Sequence, residues 1–145
     1  MNDTPSAYEA IKGAMLRATH HIHIEYYIFQ ADETGRDFRQ TLLDIAEKQV
    51  HIRLIVDFVG SRDALRRGFF KPLMNHPNID VAAFRPVGLP LINLKVNYRN
   101  HRKIVVIDGR VAFLGGMNIG DEYLGKSKRF GYWKDTVIRF EGEAV

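Results

Sequence analysis

The chain has 145 residues, is 46% apolar, contains no cysteine and carries a formal net charge of +4. Enough apolar surface is present to offset chain entropy, which excludes a disordered segment, and the missing cysteines exclude disulfides, thiol nucleophiles and cysteine-ligated metal. No run is long and apolar enough to span a bilayer, and the first residues lack the cation-then-apolar pattern of a signal peptide, so one soluble domain over 1–145 is expected.

"TPSAYEAIKGAMLRATHHIHIEYYIF" opens as a helix, with Thr4 or Ser6 as cap, Pro5 in the first turn, and Ala7, Ile11, Ala14, Met15 and Ala18 at helical spacing. From His21 the period changes to two: Ile22, Ile24 and Tyr26 share one face of a strand, and His21, His23, Glu25 and Tyr27 the other. "ADETG" reads as a polar turn, and "RDFRQTLLDIAEKQ" returns to helical spacing through Phe38, Leu42, Leu43 and Ile45. "VHIRLIVDFVGS" is a second strand closed by Gly60-Ser61. Residues 62 to 74 read as one helix ended by His76-Pro77-Asn78, and "IDVAAF" as a third strand.

Residues 85 to 100 contain Pro86 and Pro90 and read as a loop. "RKIVVID" and "VAFLGG" form paired strands around Asp108-Gly109, a favoured tight-turn pair. "NIGDEYLG" reads as a short helix and "KDTVIRFEG" as a last strand. Strands alternating with helices predict an α/β fold, and the hairpin makes its β-sheet mixed, with helices flanking it.

Residues two apart on a strand point to the same side, so His101 and Lys103 share a face that Val105 and Ile107 continue inward, with Asp108 opposite. They stand at a strand end, where open α/β sheets bind ligands. A histidine can attack phosphorus or carry a proton near neutral pH, and a neighbouring lysine can hold a phosphate oxygen. Gly115-Gly116 permits close approach of backbone to a ligand, and Asn118 supplies a neutral donor. Lys95, Arg99, Arg102 and Lys103 gather around His101, which favours an anionic ligand; a solvated basic face is the alternative.

His101-x-Lys103-x-x-x-x-Asp108 followed by Gly115-Gly116-x-Asn118 resembles the HKD motif of the phospholipase D superfamily. "NYRNHRKIVVIDGRVAFLGGMNIGDEYLG" and "WKDTVIRFEG", with "IEYYIFQADETG" and "VDFVGS" upstream, make the chain similar to the first catalytic half of bacterial cardiolipin synthases from about Ala7 to its last residue. The resemblance implies a phospholipase D-like half domain in which His101 is the nucleophile or its acid/base partner and Lys103 and Asn118 hold the phosphate. Asp108, counted in the catalytic set, would mostly brace the turn. Asp135 would orient the histidine.

The same resemblance implies phosphatidyl transfer through a phosphohistidine, with two molecules of phosphatidylglycerol giving cardiolipin and glycerol, no cofactor and no metal. The expected partners are an anionic phospholipid, a membrane surface and a second HKD half, with the full-length protein at the cell membrane. This chain has one such motif, because His20, His21, His23, His51 and His76 stand in no HxKxxxxD frame. It is therefore expected to be a piece of a longer enzyme, inactive unless it pairs. The rival is a homodimer of a one-motif phosphodiesterase or nuclease, each chain lending one His101. Against a nucleic-acid partner, the chain lacks a dense basic stripe with interleaved aromatics. An inactive scaffolding domain is a third reading, opposed by the intact His101, Lys103, Asn118 and Asp135.

His21 and His23 share a face and invite a zinc reading, but no third ligand stands at sensible spacing. Asp57, Gly60 and Ser61 end a strand on the ligand side, so they either line the site or cap a helix. Tyr26 and Tyr27 either flank the pocket or simply pack. Leu89, Leu91, Ile92 and Leu94 beside Lys95 and Arg99 suit contact with an anionic lipid surface or packing on a second half.

Overall fold

A computed structural model describes residues 1, 3–86, 98–143 and 145; the apolar and basic stretch from Leu89 to Lys95 lies outside the described residues. In chain order the elements are α1 (Thr4–Met15), β1 (His21–Tyr26), α2 (Glu33–Ala46), β2 (His51–Asp57), α3 (Arg62–Arg66), α4 (Lys71–Met74), β3 (Ile79–Phe84), β4 (Ile104–Ile107), β5 (Val111–Gly115) and β6 (Val137–Glu141). The strands form one sheet in the order β3-β2-β1-β4-β5-β6. β1, β2 and β3 pair in parallel, while β4, β5 and β6 join antiparallel, so the sheet is mixed as the hairpin implied.

Alternation sets which side each strand buries. Ile22, Ile24 and Tyr26 lie in register with Ile52, Leu54 and Val56 on one side and with Ile107 and Val105 on the other, and these residues are buried. They share a core with Tyr8, Ile11 and Met15 of α1, Phe38, Leu42 and Ile45 of α2, and Leu73 of α4. The opposite face carries Ile55, Leu114, Ile138 and Phe140, all exposed.

Several local expectations shift for physical reasons. Asp3, not Thr4 or Ser6, caps α1, its carboxylate accepting from the Ser6 N–H at 3.0 Å. α2 begins inside "ADETG", because Asp32 accepts from Gly35 N–H at 2.9 Å and Asp121 from Thr34 N–H at 2.8 Å, which supplies orphan donors of the first turn with acceptors. "NIGDEYLG" is a set of turns rather than a helix, and its Asp121 is committed to α2. The single helix expected over 62 to 74 breaks at Gly68, whose φ of +66° ends α3 and turns Phe69 and Phe70 into the core.

Because β4 runs antiparallel to β1, the segment entering β4 meets the end of β1. The start of β6 likewise meets the end of β5. Tyr27, Asp57, His101 to Lys103, Gly115-Gly116 and Asp135 therefore stand at the same end of their strands.

Candidate active site

The run from His101 to Lys103 precedes regular strand pairing, which starts at Ile104; Lys103 is tied in by its carbonyl, which accepts from Gly115 N–H at 3.2 Å. His101 is exposed and Lys103 half-buried, with Val105 and Ile107 buried behind them. The His101 imidazole stacks on the Tyr27 ring at a centroid distance of 3.9 Å and an interplanar angle of 21°. Lys103 Nζ donates to the His101 carbonyl at 2.7 Å and stands 5.4 Å from the centre of the same tyrosine ring. Burial lowers the Lys103 pKa, and the nearby charge of Asp135 offsets part of that.

Asp135 accepts from Thr136 N–H at 2.8 Å. Among the described residues no hydrogen bond joins Asp135 to His101; its charge bears on Lys103 instead. A Cβ on Gly116 would fall 2.2 Å from Asp135 Oδ1, and one on Gly115 would fall 2.3 Å from the Thr136 carbonyl. The close approach expected of a ligand at Gly115 and Gly116 is thus made by the chain itself. Their amides are spent on Lys103 and Thr136 carbonyls, the latter at 3.2 Å. Asn118 is buried, and its Oδ1 accepts from Ile28 N–H at 3.1 Å, holding the chain just past Tyr27.

Asp108 stands apart, at the other end of β4. Its carboxylate accepts from Thr19 N–H at 2.8 Å, Thr19 Oγ1 at 3.0 Å, and the His20 and His21 N–H groups at 2.9 Å each. Burial alone would raise its pKa, but the hydrogen bonds from His21, Thr19 and His20 bring it down to about 2. With φ of 52° at Asp108 and 63° at Gly109, both central residues take the left-handed conformation of a type I′ hairpin turn.

Sequence reasoning undervalued three residues. Asp57, fully buried, accepts from Val59 N–H at 2.9 Å, Gly60 N–H at 3.1 Å and, through its other oxygen, Asn100 N–H at 3.1 Å; Arg99 lies 3.7 Å away. Asn100 donates its amide to Glu25 and accepts from Arg102 N–H at 3.2 Å, which fixes the chain on both sides of His101. Ser61 stands at the N-cap position of α3 without a side-chain capping bond: its hydroxyl donates to the Tyr27 carbonyl at 3.1 Å and accepts from Phe29 N–H at 3.0 Å. The signal available was a polar triplet, Asp57, Gly60 and Ser61, directly after an apolar strand.

An open hollow of about 420 Å³ is lined by Phe84, Arg99, Asn100, His101 and Arg102. His21 and His23 stand elsewhere, with ring centres 4.9 Å apart, and among the described residues no group of three or more His, Cys, Asp or Glu could hold a metal ion.

A family model described as "Cardiolipin synthase, PLD-like domain" matches residues 11–129. The chain belongs to that phospholipase D-like family. It is 47% identical over 145 residues to a cardiolipin synthase of Halalkalibacterium halodurans, covering 100% of this chain and 28% of that protein. It thus spans about a quarter of the length of the curated relatives it matches. Two solved structures share the fold at low identity. NucT from Helicobacter pylori has a TM-score of 0.70 at 19% identity, over 97% of this chain and 80% of that one. The phosphatidylserine synthase of Haemophilus influenzae has a TM-score of 0.71 at 15% identity, over 99% of this chain and 32% of that one. The mixed sheet with its flanking helices is the phospholipase D-like half domain expected from the sequence. No helix of the described residues is long and apolar enough to cross a membrane.

Proposed function

We propose that this chain provides one half of a phosphatidyl-transfer site, in which two molecules of phosphatidylglycerol yield cardiolipin and glycerol. The observation that carries the reading is that the exposed His101 imidazole and the half-buried Lys103 ammonium meet on one tyrosine ring, with His101 also lining a hollow that Arg99 and Arg102 share. In the first step an imidazole nitrogen of His101 attacks phosphorus, the bond from phosphorus to the glycerol oxygen breaks, and a second histidine from another HKD motif protonates that oxygen. In the second step the hydroxyl of another phosphatidylglycerol attacks, giving its proton to the second histidine and freeing His101. Lys103 holds a phosphate oxygen as charge builds on it. The charge of Asp135 opposes the effect of burial on that ammonium, and Asn118, Gly115 and Gly116 act mainly by holding the surrounding chain in place. Asp108 secures the far end of the strand that carries the motif. The remaining half of the site belongs to a longer protein at the cell membrane, whose surface presents the anionic lipid.

The test is a full-length protein carrying this chain, given phosphatidylglycerol vesicles, with cardiolipin and glycerol measured by mass spectrometry. His101→Ala should yield no product while its circular dichroism is unchanged; full turnover in that variant overturns the assignment.

A second reading is a phosphodiesterase assembled from two copies, each lending one His101. It is favoured by the match over 80% of the NucT chain. Light scattering on the 145-residue chain separates the two: a dimer that cleaves bis-p-nitrophenyl phosphate supports the second reading, and an inactive monomer removes it.

A further inference from the structure

We infer that Tyr27 is a positioning residue of this site, an aromatic platform that fixes the His101 ring for in-line attack and holds Lys103 against it. The inference rests on the reading of His101 as a reacting group, and names what orients it. An exposed histidine on a segment outside regular strand pairing has several rotamers open to it, and most would point both nitrogens away from a phosphate seated near Lys103. Here the imidazole is stacked on the tyrosine ring, with ring centroids 3.9 Å apart and planes inclined by 21°. That contact restricts ring rotation and leaves the ring edge, which bears the nitrogens, free to react. The Lys103 ammonium faces the same ring at 5.4 Å, so one platform sets the spacing of the nucleophile and the phosphate-binding cation.

The platform is itself pinned. Its carbonyl accepts from Ser61 Oγ, and the next amide, Ile28 N–H, donates to Asn118. Gly60 passes so close that a Cβ there would stand 2.3 Å from the Tyr27 carbonyl and 3.0 Å from its ring. These contacts use the backbone and the ring face, and none of them needs the phenol hydroxyl. The expected orienting acid, Asp135, forms no hydrogen bond with His101 among the described residues, which leaves stacking as the contact that sets the ring.

Two measurements test this. In the 145-residue chain, the His101 ring-proton resonances, assigned with a His101→Gln variant, should be shifted upfield by the tyrosine ring current. Tyr27→Phe should retain that shift and Tyr27→Leu should lose it; a shift unchanged in Tyr27→Leu overturns the stacking. In the full-length protein, Tyr27→Leu should lower kcat at least about tenfold with KM within about threefold, while Tyr27→Phe stays within about threefold of the parent. Equal damage in both variants would show that the hydroxyl matters and overturn the platform role. Undiminished kcat in Tyr27→Leu would do the same. Should Tyr27→Leu not fold, Tyr27→Met takes its place in both measurements. If the protein transfers no phosphatidyl group at all, the functional reading fails, while the ring-proton shift still decides the stacking.

Discussion

Replacing Asp108 by asparagine should destabilise the fold rather than disable the chemistry. The carboxylate receives four hydrogen bonds, with Oδ1 accepting from His20 and His21 and Oδ2 from Thr19 N–H and Oγ1. Asparagine keeps one acceptor oxygen and sets an NH₂ group against the donors that faced the other. The pKa falls from an ordinary 3.8 to about 2, because the folded state binds the charged form more tightly. At about 1.36 kcal/mol per unit that would be roughly 2.5 kcal/mol, and the exposure of the group to solvent and salt reduces the charge contribution to about 1–1.5 kcal/mol. Unpaired donors at Thr19 add about 1 kcal/mol, for a total near 2 kcal/mol and a Tm lower by about 5–8 °C.

The pH dependence has a definite sign. A depressed carboxylate contributes fully above its unfolded pKa, so the difference between parent and Asp108→Asn should be constant above about pH 5. Its charge-dependent part should vanish as the pH falls from about 4 towards 2. Thermal unfolding followed by circular dichroism at pH 7 and pH 3 measures both quantities. A loss below about 0.5 kcal/mol at pH 7, or a difference that does not shrink on acidification, would refute the argument.

Lys103→Ala should lower kcat in the full-length protein by about 10²- to 10³-fold, with Lys103→Arg recovering part of it; steady-state kinetics on phosphatidylglycerol vesicles decides. Gly116→Ala forces a Cβ to 2.2 Å from Asp135 Oδ1 and should cost about 1–3 kcal/mol in urea unfolding. Gly109→Ala meets open space and should cost only the strain of its positive φ, about 1 kcal/mol. Ser61→Ala strips the acceptor from Phe29 N–H at a fully buried residue, and urea unfolding should register a loss of about 1–3 kcal/mol.

What was legible in the sequence follows from which signals are local. The period-two run Ile22, Ile24, Tyr26 and the Asp108-Gly109 pair each encode their structure within a few residues, and the strand, the turn and the mixed sheet stand as expected. The segments misjudged are those settled by distant partners. "NIGDEYLG" has helical composition, but its Asp121 is drawn to the first turn of α2, 87 residues away in sequence from Thr34. Ser61 reads equally as lining the site or capping a helix; it stands at the N-cap position of α3, but its hydroxyl clamps the chain that leaves β1. For the candidate site, strand alternation puts His101 and Lys103 together, while Asp135 is implied only by the resemblance, as a partner of His101, and its charge bears on Lys103 instead. The stacking of Tyr27 on His101 was not legible, because it arises from the antiparallel register of β1 and β4, which nothing in either segment announces.

That register also sets where His101 and Lys103 stand. β1 ends at Tyr26 and β4 begins at Ile104, so their pairing alone brings Tyr27 beside the run from His101 to Lys103. Asp57, at the end of the neighbouring parallel strand, then performs two tasks with two oxygens. One oxygen closes the turn that carries Gly60 and Ser61 against Tyr27, and the other anchors Asn100, one residue before His101. A buried carboxylate without partners would be costly, so both sets of bonds must form together as the core closes. The platform and the histidine are consequently ordered by the same event, and a site exposed to solvent inherits its rigidity from a residue with no exposure at all.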